Sequence, residues 1–335
     1  MAPEERILLA HGAGGKLTRQ FVEQDILTRF RSLILGRLDD GAVLTLGDMR
    51  LAYSTDSFVV DPLFFRGGDI GKLAINGTVN DIAMCGAIPM YLTSSLIMEE
   101  GFPLADLRRI LNSMQDASAE ANVEIVAGDT KVVSAGSVDK IFINTSGLGI
   151  VEKEVSGSNA KVGDKIIING FIGDHGVAIL SEREGLDLKV PVSSDCAPLN
   201  GLVSSVLSAT KCVHVMRDPT RGGLATTLNE IAIQSGIGIR IDEVAIPVRD
   251  SVRGACEMLG LDPLYIANEG KVVIFVSPDD ASRVLDAMRA HKYGADAQLI
   301  GEVVTEPKGT VLMRTRIGGE RIVDMLVGEQ LPRIC

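Results

Sequence analysis

Residues 67–87 read GGDIGKLAINGTVNDIAMCGA and organise the first half of the chain. After the glycine pair, apolar residues recur at the spacing of one helix face, at Ile70, Leu73, Ala74, Val79, Ile82 and Ala83. Gly86 and Pro89 then end the pattern. The segment therefore predicts a helix over 69–85, on which Lys72 and Asn76 lie four residues apart and share a face.

Apolar stretches on both sides of this helix predict further strands and helices. In the first half we predict strands at 42–46, 51–54, 91–98, 123–127 and 140–151, and a helix at 103–122. In the second half we predict strands at 165–169, 237–242, 271–276 and 298–303, and helices at 174–184, 198–209, 221–235 and 279–291. Because strands and helices do not alternate strictly, the pattern favours an α+β fold.

A polar stretch rich in glycine and serine, EKEVSGSNAKVG at 152–163, marks a domain boundary. We assign residues 1–155 to an N-terminal domain, 156–322 to a C-terminal domain and 323–335 to a mobile tail without a clear period. The tail ends on Cys335, whose thiol a flexible arm can carry into a pocket. The pair Asp218-Pro219 predicts the start of the helix at 221–235, with Asp218 as its N-cap.

Composition excludes several classes of function. The chain has 335 residues, 46% of them hydrophobic and only 4% aromatic, which suits two aliphatic cores. Its formal net charge of −11 argues against a nucleic-acid-binding surface. The five cysteines form no CxxC pair, so neither a zinc site nor a disulfide framework is indicated. Without a signal peptide or an apolar run long enough to span a membrane, the chain is expected to be cytoplasmic, with no membrane partner.

Single acidic residues next to apolar elements are the main chemical signal. The Walker and GxGxxG motifs are not intact, so P-loop and Rossmann sites are disfavoured. Several carboxylates from one domain suit Mg²⁺, which takes oxygen ligands and bridges nucleotide phosphates. Each acid alone is more often an ordinary turn residue. As a set, they are our candidates for binding metal and nucleotide: Asp40, Asp56, Asp81 and Asp129.

These acids belong to motifs that resemble the aminoimidazole-ribonucleotide synthetase (PurM-like) superfamily over nearly the whole chain. The glycine-rich segment at 11–16, Lys131 after Gly-Asp-Thr, and the last four residues, PRIC, are similar to its hydrogenase maturation branch. The matching blocks are Asp39-Asp40-Gly41-Ala42, Thr55-Asp56, Gly68-Asp69-Ile70-Gly71, residues 80–87, Gly128-Asp129-Thr130, residues 218–224 and Asn268-Glu269-Gly270.

The resemblance implies a two-domain α+β fold and a homodimer in which the N-terminal sheets pair, with ATP and Mg²⁺ bound near the interface. It also implies an ATP-dependent dehydration that converts a carbamoyl group on the Cys335 sulfur into a cyano group for the iron of a [NiFe]-hydrogenase. The expected partners are a carbamoyltransferase maturation factor (HypF-like) as donor and a HypC-HypD-like iron scaffold complex as acceptor.

Within that reaction, Glu269 precedes an apolar strand and is the candidate base, because a partly dry pocket raises the pKa of a carboxylate. Lys131 is the candidate for stabilising the transferred phosphoryl group or the developing oxyanion. The remaining candidates for nucleotide contacts are Lys72, Asn76, Gly128 and Thr130, together with the four aspartates.

Two other functions fit parts of the pattern. A small-molecule synthetase or kinase of the same superfamily needs no C-terminal cysteine, so the tail argues against it. A non-catalytic thiol carrier needs no ATP site, so the aspartates and Lys131 argue against it.

Overall fold

The computed structural model describes residues 6–185, 191–328, 331 and 333–335. The described chain begins with a 3-10 turn, Leu9–Gly12, and a helical segment made of α1 (Lys16–Phe21), a π-helical stretch (Val22–Leu27) and α2 (Thr28–Phe30). A second 3-10 turn, Leu35–Arg37, leads into the first sheet.

The first domain is a sheet covered on one face by two helices. Its elements are β1 (Ala42–Leu46), β2 (Met49–Phe58), β3 (Phe64–Phe65), β4 (Gly68–Asp69), α3 (Ile70–Met84), β5 (Ala87–Glu99), α4 (Leu104–Ala121), β6 (Glu124–Val133) and β7 (Ile141–Val151). Five of the described strands form the sheet, in the order β1-β2-β7-β5-β6. Strands β5 and β6 are parallel, and the other pairs are antiparallel. β3 and β4 form a separate ribbon.

Helix α3 is the centre of this domain, and it confirms the helix predicted over 69–85. Asp69 caps its first turn by accepting hydrogen bonds from the backbone N–H groups of Gly71 and Lys72, at 2.8 and 3.0 Å. The helix is buried almost all round. It therefore packs against the sheet, α4 and the second domain at once, and its polar residues lie at internal contacts rather than in solvent.

The second domain is a larger mixed sheet with helices on both faces. Its elements are β8 (Lys165–Ile168), α5 (Asp174–Glu184), α6 (Asn200–Ala209), β9 (Val213–Arg217), α7 (Gly223–Ser235), β10 (Gly238–Asp242), α8 (Asp250–Leu259), β11 (Val273–Val276), α9 (Ala281–Arg289), β12 (Gln298–Val304), β13 (Thr310–Arg314) and β14 (Glu320–Val323), with 3-10 turns at Pro263–Tyr265 and Pro278–Asp280. The described strands are ordered β14-β13-β10-β12-β8-β11-β9.

Strand β8 shows why this sheet is apolar on both sides. Ile166 and Ile168 point into one core with α7, while Ile167 points into a second core with α6 and α9. A strand that is buried on both faces reads as a continuous apolar run, which is how the sequence predicted it.

The two domains meet along α3 and β9. Asn80 of α3 accepts a hydrogen bond from the Leu199 backbone N–H at 2.8 Å and donates one to the Ala197 carbonyl at 3.1 Å. Arg217, the last residue of β9, forms an ion pair with Asp40 of the first domain at 2.6 Å. Asp40, one of the predicted acidic residues of the first domain, therefore contacts the second domain.

The predicted strands and helices are present, with ends shifted by a few residues. Sequence patterns missed α1, α2, β3, β4, β9, α8, β13 and β14. β9 and β14 are short, and α8 exposes about half of its residues. No helix in the described part of the chain is long and apolar enough to cross a membrane.

Candidate active site

The last three residues of the chain are docked against the end of β2. The backbone N–H of Val59 donates to the Cys335 carbonyl oxygen at 3.0 Å, and that of Asp61 donates to the Arg333 carbonyl at 3.2 Å. This antiparallel register extends the course of β2 with the chain terminus, as in strand addition by a peptide. Ile334 is buried in the core of the first domain. The structure thus holds the predicted tail in one docked position, and its mobility remains a prediction.

Cys335 lines a cavity of about 100 Å³ between the domains. The cavity is bordered by residues of the glycine-rich N-terminal segment, the end of β2, the loop before α7 and the tail. Its lining includes Gly12, Ala13, Ser57, Val59, Arg221, Gly222, Leu326 and Cys335. The N-terminal segment is fixed here because Arg221 Nη1 donates to the Gly12 carbonyl at 2.8 Å, and the Lys16 N–H donates to the Leu326 carbonyl at 2.9 Å.

Three of the four predicted metal ligands gather beside this cavity. The Ser54 hydroxyl lies 3.1 Å from the Asp40 carbonyl oxygen and 2.7 Å from Asp81 Oδ2, so it joins the two acidic segments. Asp56 lies two residues further along β2, on the same face as Ser54. Electrostatic repulsion from Asp40 and Asp56 acts on Asp81. The structure therefore brings Asp40, Asp56 and Asp81 together.

Burial and mutual repulsion make this cluster hard to ionise. Burial raises the pKa of Asp40 well above its usual range, although Arg217 opposes the change. Burial, followed by repulsion from Asp218, Asp56 and Asp40, does the same to the pKa of Asp81. The pKa of Asp218 rises to about 6, again mainly through burial. Carboxylates in this state favour a bound cation, because a cation relieves both the repulsion and the lost hydration.

Glu269 contributes the fifth carboxylate from the second domain. Its pKa is raised well above the usual range by burial first, and then by Asp218, Asp195 and Asp56. Oε1 of Glu269 is buried and has no hydrogen-bond partner among the described residues. A carboxylate in this state suits proton transfer, because its pKa is raised and one oxygen is available.

The backbone of Glu269 is held rigidly from two sides. Its N–H donates to Asp195 Oδ1 at 3.1 Å, and Asp195 is paired with Lys271 Nζ at 2.9 Å. Burial disfavours the charge of Asp195, but the attraction of Lys271 opposes burial, and the pKa of Asp195 is lowered. The residue after Glu269 has to be glycine, since a Cβ at Gly270 would lie 1.9 Å from the Asp195 carbonyl oxygen.

Two arginines supply the positive charge next to the acids. Arg217 lies between Asp40 and Glu230, to which Nη2 donates at 3.0 Å. Arg221 faces the cavity, where it opposes the raised pKa of the Cys335 thiol. Burial is the main cause of that raised pKa, and Glu269, Asp56 and Asp218 add to it. The docked thiol therefore stays protonated at neutral pH.

Lys72 and Asn76 lie on α3, as predicted, and have different surroundings. Lys72 Nζ donates to the Gly67 carbonyl at 3.3 Å and borders two open grooves. Asn76 is fully buried, and its Nδ2 donates to the Cys196 sulfur at 3.6 Å. Asn76 Oδ1 has no partner within the described chain. Their contact with a nucleotide remains a prediction.

Within one chain, residues 128–131 are separated from the acidic cluster. The sheet register aligns Asp56 with Thr145, Ser94 and Gly128, so Asp56 and Gly128 are three strand spacings, or about 14 Å, apart. Gly128 and Thr130 lie on the helix-covered side of edge strand β6. Asp129 and Lys131 point to the open side, where Lys131 Nζ pairs with Asp129 at 2.9 Å and both side chains are exposed.

The acids fit a shared metal ion only in part. In residues 6–185, 191–328, 331 and 333–335, no three His, Cys, Asp or Glu side chains are close enough to hold a metal ion by themselves. However, Asp40 Oδ2 is buried without a hydrogen-bond partner in that same part of the chain. Mg²⁺ commonly uses one or two carboxylates together with substrate phosphates. The cluster fits Mg²⁺ that arrives with a nucleotide.

The structure also corrects one prediction and adds residues to the site. Asp218 is not a helix N-cap, because α7 begins at Gly223 with Gly222 in the N-cap position. Asp218 instead joins the acidic cluster. His175 contacts the docked tail, although no sequence motif singles it out. Nothing in its local sequence distinguishes it, since its partner lies 159 residues away.

Comparison with known proteins agrees with this geometry. Residues 38–151 match the N-terminal domain of the AIR synthase related proteins, and residues 161–314 match their C-terminal domain. The carbamoyl dehydratase HypE of Cupriavidus necator is 52% identical over 333 residues, covering 98% of this chain and 95% of the relative.

Two solved structures extend the match to three dimensions. A crystal structure of a HypE–HypF complex matches with a TM-score of 0.88 and 50% identity, covering 91% of this chain and 99% of that chain. A structure of the hydrogenase maturation protein HypE in complex with ATP matches with a TM-score of 0.84 and 48% identity, covering 98% and 100%. The chain therefore belongs to the HypE family of carbamoyl dehydratases, with the two-domain PurM-like fold of the AIR synthase related proteins.

Proposed function

We propose that this protein uses ATP to dehydrate a carbamoyl group on the Cys335 thiol to a thiocyanate, which supplies the cyanide ligand of the [NiFe]-hydrogenase iron. One observation carries the proposal. Cys335 lines an interdomain cavity, and Glu269, Asp56, Asp218 and Arg221 all act electrostatically on its thiol. The family membership and the ATP complex of a HypE protein support the same reaction.

The raised pKa of the docked Cys335 thiol implies that carbamoylation and dehydration take place in different positions of the tail. A thiolate is the nucleophile in group transfer, and the docked thiol is protonated. The thiol therefore accepts its carbamoyl group while the tail is outside the cavity. Docking then brings a neutral thiocarbamate into a site that contains little water, where dehydration is favoured over hydrolysis.

Dehydration has to make the amide oxygen a leaving group. Transfer of the ATP γ-phosphoryl group to that oxygen achieves this, since phosphate leaves more readily than hydroxide. Phosphorylation of the amide oxygen releases the first N–H proton and leaves a C=N–H group. The second N–H proton is lost as the C≡N bond forms and phosphate departs. Glu269 is the base for this last step, because its Oε1 has no hydrogen-bond partner among the described residues, its pKa is raised, and it acts electrostatically on the Cys335 thiol.

Charge on the transferred group requires cations. Arg221 is the cation of the chain that acts most directly on the Cys335 sulfur, and it is held by the Gly12 carbonyl. Asp40, Asp56 and Asp81 would hold Mg²⁺ with the nucleotide. When bound, Mg²⁺ offsets the charge on the phosphates.

We extend the proposal to a homodimer formed through the open face of the first sheet. Large apolar side chains are exposed on that face, which marks an interaction surface: Leu44, Leu46, Tyr53, Ile88, Tyr91, Ile97 and Ile150. Asp129 and Lys131 share the face, and so does Ser57, which also lines the Cys335 cavity. A second copy on this face would bring the side chains of Asp129 and Lys131 to the interface, which supports their proposed role in catalysis.

The partners follow from the chemistry of the carried group. The donor is a carbamoyltransferase of the HypF type, supported by the HypE–HypF complex of a similar protein. The acceptor is an iron scaffold of the HypC–HypD type, which takes the cyano group from the sulfur.

Intact mass spectrometry tests the proposal. The protein is carbamoylated by its donor enzyme, Mg-ATP is added, and the adduct is expected to lose the mass of one water only when ATP is present. Cys335→Ala is the matched control and should form no adduct while still binding nucleotide. An adduct unchanged by ATP would identify a thiol carrier, and no adduct at all would favour a small-molecule synthetase or kinase. Both outcomes refute the proposal.

A further inference from the structure

His175 is a buried histidine that connects helix α5 to the chain terminus. It is fully buried at the start of α5, and its ring packs edge-on against Phe65 with centroids 5.6 Å apart. Nε2 lies 2.7 Å from the Ile334 carbonyl oxygen, and Nδ1 lies 2.8 Å from the Ser194 hydroxyl. Both ring nitrogens are therefore used, one by the tail and one by the second domain.

The hydrogen-bond partners fix the tautomer of the ring. A backbone carbonyl only accepts hydrogen bonds, so Nε2 carries the proton and donates it to Ile334. In the neutral ring, Nδ1 then accepts from the Ser194 hydroxyl. The Ser194 oxygen in turn accepts from the Cys196 N–H at 3.1 Å. Burial lowers the pKa of His175 and keeps the ring neutral. The chain of donors thus runs in one direction, toward the tail.

Ser194 is itself fixed to the first domain. Its backbone N–H donates to the Arg66 carbonyl at 2.8 Å, in the turn between β3 and β4. At the other end of α5, Arg183 Nη2 donates to the Arg333 carbonyl at 2.9 Å, and its Nε donates to the Asp61 carbonyl at the same distance. One helix therefore holds two successive tail carbonyls.

Hydrogen bonds therefore fix the tail backbone on both sides of the Cys335 α-carbon. His175 holds the carbonyl of Ile334 before it, and the Val59 N–H holds the carboxyl end after it. With both ends fixed, the side chain of Cys335 points into the cavity beside Arg221. All of these contacts use the tail backbone, so the identity of the group on the sulfur does not alter them.

We propose that His175, oriented by Ser194, is a positioning residue that holds the docked tail so that the group on Cys335 faces Glu269. This inference rests on the proposed function for its effect on rate, but the docking itself does not depend on it. Loss of the His175–Ile334 hydrogen bond is worth about a 2- to 12-fold change in the docking equilibrium, from a net contribution of about 0.5–1.5 kcal/mol per bond.

Alkylation of Cys335 measures docking without ATP or a carbamoyl donor. The protein reacts with iodoacetamide, and the mass of its C-terminal peptide gives the rate at Cys335 alone. His175→Phe keeps an aromatic ring but has no donor, and should be alkylated about 2- to 12-fold faster than the parent protein. His175→Gln retains an amide N–H donor and should lie between the two. His291→Phe is the control, because His291 contacts Tyr293 and not the tail.

Single-turnover dehydration supplies the second readout. His175→Phe and Ser194→Ala should accept the carbamoyl group at the parental rate or faster, because docking competes with that step, and should dehydrate it more slowly. A merely structural defect would slow both steps and lower Tm in proportion. Ser194→Ala keeps the test decisive if His175→Phe folds poorly.

The outcomes are distinguishable. Faster alkylation together with slower dehydration supports the inference. An unchanged alkylation rate in His175→Phe and Ser194→Ala overturns it, and so does faster alkylation with parental dehydration. If the parent protein itself fails to dehydrate the adduct, the proposed function is refuted, and alkylation alone decides whether His175 holds the tail.

Discussion

The acidic cluster makes a specific prediction about stability, for which Asp218→Asn is the sharpest perturbation. Asp218 is buried, and its pKa is raised from 3.8 to about 6. The folded protein binds this proton more tightly than the unfolded chain does. The carboxyl group therefore does not lower the free energy of unfolding below pH 3.8, where it is protonated in both states. The free energy of unfolding that is lost by ionising this buried carboxyl group grows as the pH rises from 3.8 to about 6 and is constant above that range. Asparagine has nearly the same shape and no charge, so Asp218→Asn removes this loss of stability.

The size of the effect follows from the shift. A difference of about 2 pKa units corresponds to about 3 kcal/mol at pH 8, and to about 1 kcal/mol at pH 4.5, where most of the group is still protonated in the folded state. In the absence of metal and nucleotide, Asp218→Asn should therefore raise the free energy of unfolding, and by about 2 kcal/mol more at pH 8 than at pH 4.5.

Urea unfolding at the two pH values, followed by circular dichroism with EDTA present, measures this difference. Asp242→Asn is a control of opposite sign, because a hydrogen bond from Arg314 lowers the pKa of exposed Asp242 and its loss should destabilise the protein at pH 8. If Asp218→Asn destabilises the protein equally at both pH values, burial does not strain this carboxylate and the reasoning about the cluster is wrong.

Three further predictions concern catalysis, backbone and assembly. Glu269→Gln should lower the rate of dehydration about 10²- to 10⁴-fold and let the carbamoyl adduct accumulate in the intact mass; an unchanged rate would remove Glu269 as the base. Gly86→Ala should lower the free energy of unfolding in urea by clearly more than Gly136→Ala does. Both glycines have a positive φ, but only at Gly86 would a Cβ lie 1.8 Å from a backbone oxygen. Equal decreases would show that the positive φ alone, and not this close contact, destabilises the variants. Ile97→Glu on the open sheet face should halve the mass measured by light scattering, whereas Val162→Glu in the exposed loop of the second domain should leave it unchanged; a parental mass for both would place the dimer contact elsewhere.

Local patterns predicted much of the fold, for reasons visible in particular elements. Helix α3 has apolar residues at helical spacing and a capping aspartate, and both signals lie within the segment itself. The apolar run at β8 predicted a strand at 165–169 in the same way, and the structure shows that this strand is buried. β9 has only five residues and therefore carries little periodicity. α8 does place Val252, Ala255 and Cys256 at helical spacing, so its local pattern was sufficient to predict it and was missed.

The candidate site was only partly predictable from the sequence. Motif spacing identified Asp40, Asp56, Asp81 and Glu269, but it treated Asp129 as their equal. The register of four strands then separates Asp129 from Asp56 by about 14 Å and turns it to the other face. Strand order and register depend on contacts between distant segments, so no local pattern contains them.

The sequence by itself determined the helices and strands with strong periodicity, the acidic motifs and the presence of a thiol at the very end of the chain. Only the tertiary structure decided which carboxylates share a cavity, that Asp218 belongs with them, and that His175 and Arg183 meet the tail. The reason is physical. Periodicity and motifs reflect interactions over a few residues, whereas burial, repulsion between charges and the docking of a terminus arise only when segments more than a hundred residues apart are packed together.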